Sequence, residues 1–185
     1  MEKYTALPAG EWMQIANCFE KRMIEKDELL LEQGKVCRHL YFLESGLLRF
    51  FTFKDGNDVT KFFTDAPYCF TSQASFNAEK PATENIQAIE KSVAWQIPLK
   101  QTNDLLALKS WADFARQITR EVQFFTEEIL EELQTETAEF RYEKMLRDSP
   151  ALVRRVPLKH LASYLGIAPQ SLSRIRKKMA TQKRT

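Results

Sequence analysis

The side chains best suited to chemistry cluster at the C-terminal end. Residues 151–185 carry nine basic groups: Arg154, Arg155, Lys159, Arg174, Arg176, Lys177, Lys178, Lys183 and Arg184. They carry no Asp or Glu. The first 150 residues hold the other 18 basic side chains against 25 acidic ones, a net of −7 within an overall +2. A basic end on an acidic body points to a polyanion partner for that end alone.

The segment "PLKHLASYLGIAPQSLSRIRKKM" shows how that charge is presented. It reads as two helices and a turn. Ala162 is small where the helices must approach, Gly166 sits where the first must stop, and Pro169 suits the first turn of the second. Leu172, Ile175 and Met179 recur at helical spacing and pack the second helix inward. This joint spacing is that of a helix-turn-helix. The outward face is then Gln170, Ser171, Arg174 and Lys177, positioned for a major groove, where Arg pairs with guanine and Gln with adenine. Arg176, Lys178, Lys183 and Arg184 are expected to hold phosphates, with Lys159 and His160 touching the backbone from the first helix. The bland alternative is a helical hairpin that only packs, with solvated basic groups.

Other chemistries find little support. His39 and His160 are the chain's two histidines, so no metal site or cofactor is expected. Cys18, Cys37 and Cys69 form no paired spacing and read as reduced thiols. No Ser-His-Asp, P-loop or G-x-G-x-x-G pattern appears, so an enzyme is not expected. Mean hydropathy is −0.41, no apolar run reaches membrane length, and "MEKYTALPAGEW" has no secretory core. A cytoplasmic protein without membrane contact is the expectation.

The elements that position the basic end come before it. Residues 9–25 read as an amphipathic helix, with Trp12, Ile15, Ala16 and Phe19 on one face. "ELLLEQGKVCRHLYFLESGLLRFFTFKDGNDVTKFFT" is a series of short apolar runs, with a hairpin signal at Asp55-Gly56. "NIQAIEKSVAWQIP" closes the strand-rich half, which suggests an antiparallel barrel or sandwich. From Trp111 to Leu133 one apolar stripe runs through Phe114, Ile118, Val122, Phe125 and Ile129. A helix of about 25 residues spans about 37 Å, more than a typical core helix, so the stripe either packs on its own barrel or pairs with a second copy; pairing is the leading expectation, with Ile118, Val122, Phe125 and Ile129 at the dimer seam. "ETAEFRYEKMLRDSP" is a further helix stopped before Pro150.

Taken together these segments resemble the Crp/Fnr family, the cyclic-AMP receptor protein family of bacterial transcription regulators. "LLLEQGKVCRHLYFLESGLLRFFTFKDGNDVTKFF" looks like its cyclic-nucleotide-binding roll, with Gly34, Gly46 and Gly56 at turns. The stripe from Trp111 looks like its dimerising helix, and "VPLKHLASYLGIAPQSLSRIRKKM" like its helix-turn-helix. The resemblance implies an α+β chain: an N-terminal antiparallel β-roll with flanking helices (1–105), a long dimerisation helix (106–137) and a C-terminal helix-turn-helix domain (138–185). It implies a homodimer on double-stranded DNA, with RNA polymerase as a further candidate partner and a small-molecule effector that the sequence does not identify. The end of the chain leaves little room for the hairpin wing that many relatives carry.

Relatives that bind cyclic AMP carry a Gly-Glu pair, then an Arg-Ser pair, for ribose and phosphate. In "CFTSQASFNAEKPATENI" those positions fall on Thr71, Ser72, Ala82 and Thr83. A cyclic phosphate there would lack its cation, while Glu79 and Glu84 would repel it. Lys61 or Arg49 could substitute from a strand. Cyclic AMP binding of the usual kind is therefore not expected. Iron–sulfur sensing would need a cysteine cluster where only Cys18 stands, and haem sensing has only Cys37, His39 and Cys69 to draw on. The leading expectation is a dimeric DNA-binding regulator; the alternative is a ligand-binding or protein-interaction module without DNA binding.

Overall fold

The computed structural model describes residues 8–182. After a short helix α1 (Ala9–Ala16), eight strands build two antiparallel sheets. They are β1 (Glu20–Ile24), β2 (Leu29–Leu31), β3 (His39–Ser45), β4 (Leu47–Lys54), β5 (Asn57–Asp65), β6 (Tyr68–Phe70), β7 (Asn85–Ala88) and β8 (Ser92–Pro98). One sheet has the order β1-β8-β3-β6 and the other β2-β7-β4-β5. The helix α2 (Gln73–Ala78) interrupts the strands between β6 and β7.

Alternating side chains from both sheets fill the roll. Tyr41 stacks on Phe70 with ring centroids 5.1 Å apart, and Phe50 stacks on Phe62 at 4.2 Å. Leu43, Leu48, Ile86, Ala88 and Ala94 complete this core. Asp55 and Gly56 form the two-residue turn between β4 and β5, with Lys54 opposite Asn57, as the dipeptide signalled. Gly46 joins β3 to β4 at φ +106, where a Cβ would stand 2.7 Å from the Ser92 Cα, so that close approach requires glycine.

The N-terminal helix is shorter than its periodicity suggested. It closes through Cys18 and Phe19 amides bonded to Ile15 and Ala16, and residues 20–24 pair with β8 instead. Phe19 then sits edge-on to Phe42, 5.0 Å between centroids. Ladder bonds to an existing strand outweigh the local helical pattern, because pairing satisfies the backbone as fully as a helix does.

Beyond β8 come α3 (Leu99–Asp104) and the long α4 (Lys109–Thr135), 27 residues or about 40 Å. Its first turns bury Trp111 and Phe114 on the roll, against Ile15, Cys69, Ile97 and Leu105. Further along the helix Phe124, Leu130 and Leu133 are more than half exposed. The chain then folds back through α5 (Ala138–Asp148), α6 (Pro150–Arg155), α7 (Leu158–Leu165) and α8 (Pro169–Gln182). Thr137 caps α5 by accepting the Phe140 amide, while α6 was not foreseen in the sequence.

These last helices do not form an isolated core. Tyr142, Val153, Leu161, Ala162, Leu165 and Leu172 pack with Leu47 and Ile89 of the roll. Residues Leu47 to Phe51 of β4 are therefore all buried, one side chain set facing into the roll and the other facing the helices. Cys37 and Cys69 are buried free thiols, and Cys18 is a half-buried one. No group of three or more His, Cys, Asp or Glu among the described residues could hold a metal ion, and no described helix is long and apolar enough to cross a membrane.

Candidate nucleic-acid interface

The helix pair α7–α8 is built as its local signals require. Gly166 ends α7 at φ +71, and the Ile167 amide bonds back to the Ala162 carbonyl at 3.0 Å. Ala162 has no exposed surface, so α7 and α8 meet closely. Leu172 is buried, and Ile175 and Met179 lie half-buried on the same core. That packing turns Gln170, Arg174 and Lys177 outward, all exposed and spaced along one face, with no ion pair among the described residues. Ser171 is half-buried at the start of the helix. Lys159, on the first turn of α7, is exposed as well.

Three of the expected phosphate or backbone contacts are placed differently. His160 is buried, and its Nδ1 lies 2.8 Å from Arg49 Nη1. It serves the docking of α7 on the roll and is not presented to a DNA backbone. Arg176 reaches back to α5, its Nε donating to the Tyr142 hydroxyl at 2.8 Å. Lys178 pairs with Glu139 at 2.8 Å. Both tie α8 to α5, and the charge of Lys178 is answered by Glu139. Lys183 and Arg184 lie outside the described residues. Arg154, not singled out before, stands exposed at the end of α6 without an ion-pair partner among the described residues. Its only sequence signal was membership of the acid-free end.

A polar seam fixes these helices to the roll. Arg49 donates both Nη groups to Asp58 at 2.7 Å and its Nε to Gln87 at 2.9 Å. The Thr60 amide donates to Ser163 Oγ, which in turn donates to the Asp58 carbonyl, both at 2.9 Å. Arg155 forks between Asp65 and Glu90, 2.6 Å to each. A planar guanidinium suits such bidentate pairing.

The segment expected at the degenerate ligand pocket is occupied by its own polar groups. Thr71 Oγ1 donates to the His39 carbonyl at 2.9 Å. Ser72 is buried and donates to Glu84, whose second oxygen accepts from Lys61, both at 2.6 Å. Ala82 is buried, its amide bonded to the Lys35 carbonyl, and the Thr83 carbonyl accepts from Thr52. The two substitute cations are thus spent. Lys61 answers Glu84, and Arg49 faces away toward α7. The dimer-stripe residues also divide: Ile118 packs on the roll, Val122 is half-buried, and Phe125 and Ile129 line a cleft against β5.

Residues 21–109 match the cyclic nucleotide-binding domain. Solved structures resemble nearly the whole chain. The transcriptional regulator of the Crp/Fnr family from Eubacterium rectale superposes with TM-score 0.75 at 15% identity, covering 95% of this chain and 85% of that one. This is the Crp/Fnr fold. FixK2 from Bradyrhizobium japonicum gives a TM-score of 0.77 at 16% identity, over 89% and 86% of the two chains. The Thermus thermophilus catabolite activator protein gives 0.58 at 21% identity, over 97% and 87%. Among curated proteins no sequence matches the chain. The Crp/Fnr fold accounts for the order of roll, long helix and helix-turn-helix. The side chains along α8 and inside the roll are this chain's own, and they carry its chemistry.

Proposed function

We propose that this chain is a dimeric, DNA-binding transcription regulator. The observation that carries the reading is the face of α8 on which Gln170, Arg174 and Lys177 stand exposed, with no ion pair among the described residues; Lys159 and Arg154 are exposed on α7 and α6. Base-edge pairing by Arg174 and Gln170 would specify sequence, while the lysines and Arg154 would hold phosphates. The regulators that share this fold support the same assignment.

In this reading residues 1–105 form the sensing roll, 106–137 the pairing helix and 138–185 the reading head. Pairing through the exposed apolar side chains of α4, Leu130 and Leu133 among them, would set two α8 helices on a two-fold operator. The Ser72–Glu84–Lys61 arrangement supports a roll that takes no cyclic AMP in the family's manner. Such a protein would work in the cytoplasm, beside RNA polymerase on DNA.

The test is an electrophoretic shift with genomic fragments, the chain's own upstream region included, for wild type and Arg174→Ala. Wild type should retain a fragment, and the variant should bind it about 1–3 kcal/mol more weakly. Failure of wild type to hold any fragment at low salt would end the proposal.

A further inference from the structure

A cleft of about 490 Å³ opens where β5, α4 and the α5–α6 turn meet. Its walls are apolar and largely aromatic: Phe62, Phe63, Tyr68, Phe125 and Tyr164, with Met145 and Leu152. Phe62 and Phe125 meet edge to face across it, 6.2 Å between centroids. The volume lies within the range of small-molecule sites, and three sides come from one chain.

The polar groups of the cleft have a strong sign. Five carboxylates line it: Asp65, Glu121, Glu128, Glu132 and Asp148. Two are answered by close partners, Glu132 by Lys144 and Asp65 by Arg155. Asp148 has its neighbour Arg147. Glu121 and Glu128, two turns apart on α4, have no ion pair among the described residues, although Lys144 lies near enough to feel the charge of Glu128. They stand beside the aromatic rings, whose faces carry negative potential. An anion would be repelled by these carboxylates. Arg141 lines the same cleft, and its buried Nε–H has no acceptor among the described residues. An occupant with an oxygen acceptor would satisfy it.

We infer that this cleft binds a small organic cation, an ammonium group on an aromatic body. The ammonium sits against Glu121 and Glu128, and the body lies against Phe62, Phe125 and Tyr164. This site lies outside the segment around Ser72 and Glu84, and its chemistry is opposite to that of a cyclic phosphate. It touches roll, long helix and C-terminal helices together, so an occupant ties the three parts to one another. The inference concerns binding alone and stands whether or not α8 reads DNA.

The test uses the full chain and two probes of equal size, 1-naphthylmethylammonium and 1-naphthylacetate, in isothermal titration calorimetry. The cation should bind about tenfold or more tightly than the anion. The Glu121→Gln/Glu128→Gln variant should lose that preference, and Ile129→Trp, which fills the cleft, should lose binding of the cation. Far-UV circular dichroism checks that both variants fold, and either folded variant suffices to read the result. Equal affinity for the two probes, no binding of the cation by wild type, or cation binding unchanged in a folded variant would each overturn the inference.

Discussion

His160 sits on α7 with 7% of its surface exposed, and Arg49 of β4 lies against its Nδ1. A guanidinium only donates, so Nδ1 accepts and the ring is neutral, with its proton on Nε2. Burial is the main force that keeps it neutral; the charges of Arg49 and Lys159 add to it, and Asp58 and Asp27 oppose it only in part. Its pKa is pushed down to about 4. In the unfolded chain the same ring titrates near the ordinary value of about 6.5. At pH 7 it is neutral in both states and contributes nothing to the pH dependence. Below about 6.5 the unfolded chain takes up a proton that the native one refuses, so stability falls with pH until about 4. With those two values the loss between pH 7 and pH 5 is about 2 kcal/mol. The assay is urea unfolding at pH 7, 6 and 5 for wild type and His160→Asn. The asparagine amide oxygen can accept from Arg49 but does not titrate. His39 and the carboxylates are common to both proteins and cancel in the difference. Wild type should lose about 2 kcal/mol more than the variant over that interval. Parallel decline of the two proteins would refute a neutral, buried His160 at the joint between α7 and the roll.

The remaining expectations concern the same joint, the pairing helix and the roll. Arg49→Met should cost about 3 kcal/mol in urea unfolding, since it strips Asp58 and Gln87 of their donor; Asp58 is 35% exposed and regains some water, which keeps the loss at the low end for a broken buried pair. A loss within about 0.5 kcal/mol would mean the seam contributes no more than an ordinary surface contact. Leu133→Glu places a charge on a side chain 55% exposed in the single chain, so it should leave the fold intact yet shift sedimentation equilibrium toward the monomer. Cyclic AMP at about 1 mM should leave the melting temperature unchanged, because a ligand held by the native state alone must raise it. A clear upward shift would show that the phosphate finds a cation despite the Lys61–Glu84 pair.

The helix-turn-helix was legible because its determinants are local. A stop at Gly166, a start at Pro169 and the i, i+3, i+7 spacing from Leu172 act within a few residues, and α7 and α8 follow them closely. The Asp55-Gly56 hairpin and the long run of α4 were legible for the same reason. Periodicity misled at residues 20–24, where a helical stripe continues in the sequence but β8 offers a strand ladder 70 or so residues away. Side-chain direction on the roll was beyond it as well. Arg49 and Lys61 look alike as candidate cations, and only the pairing of β4 with β5 and β7 sends one toward α7 and the other toward Glu84.

What the sequence by itself determined is therefore the series of elements and the sign of each end: strands, a long amphipathic helix, and a basic helix pair without acids. Tertiary structure alone decided which charges remain free. Tyr142 draws Arg176 inward and Glu139 takes Lys178 across 34 and 39 residues, His160 turns to Arg49 across 111, and Gln170, Arg174 and Lys177 stay exposed. The physical reason is range. Caps, turns and helical spacing are settled between neighbours, whereas the partner of a charged side chain is whatever group packing brings within about 3 Å of it.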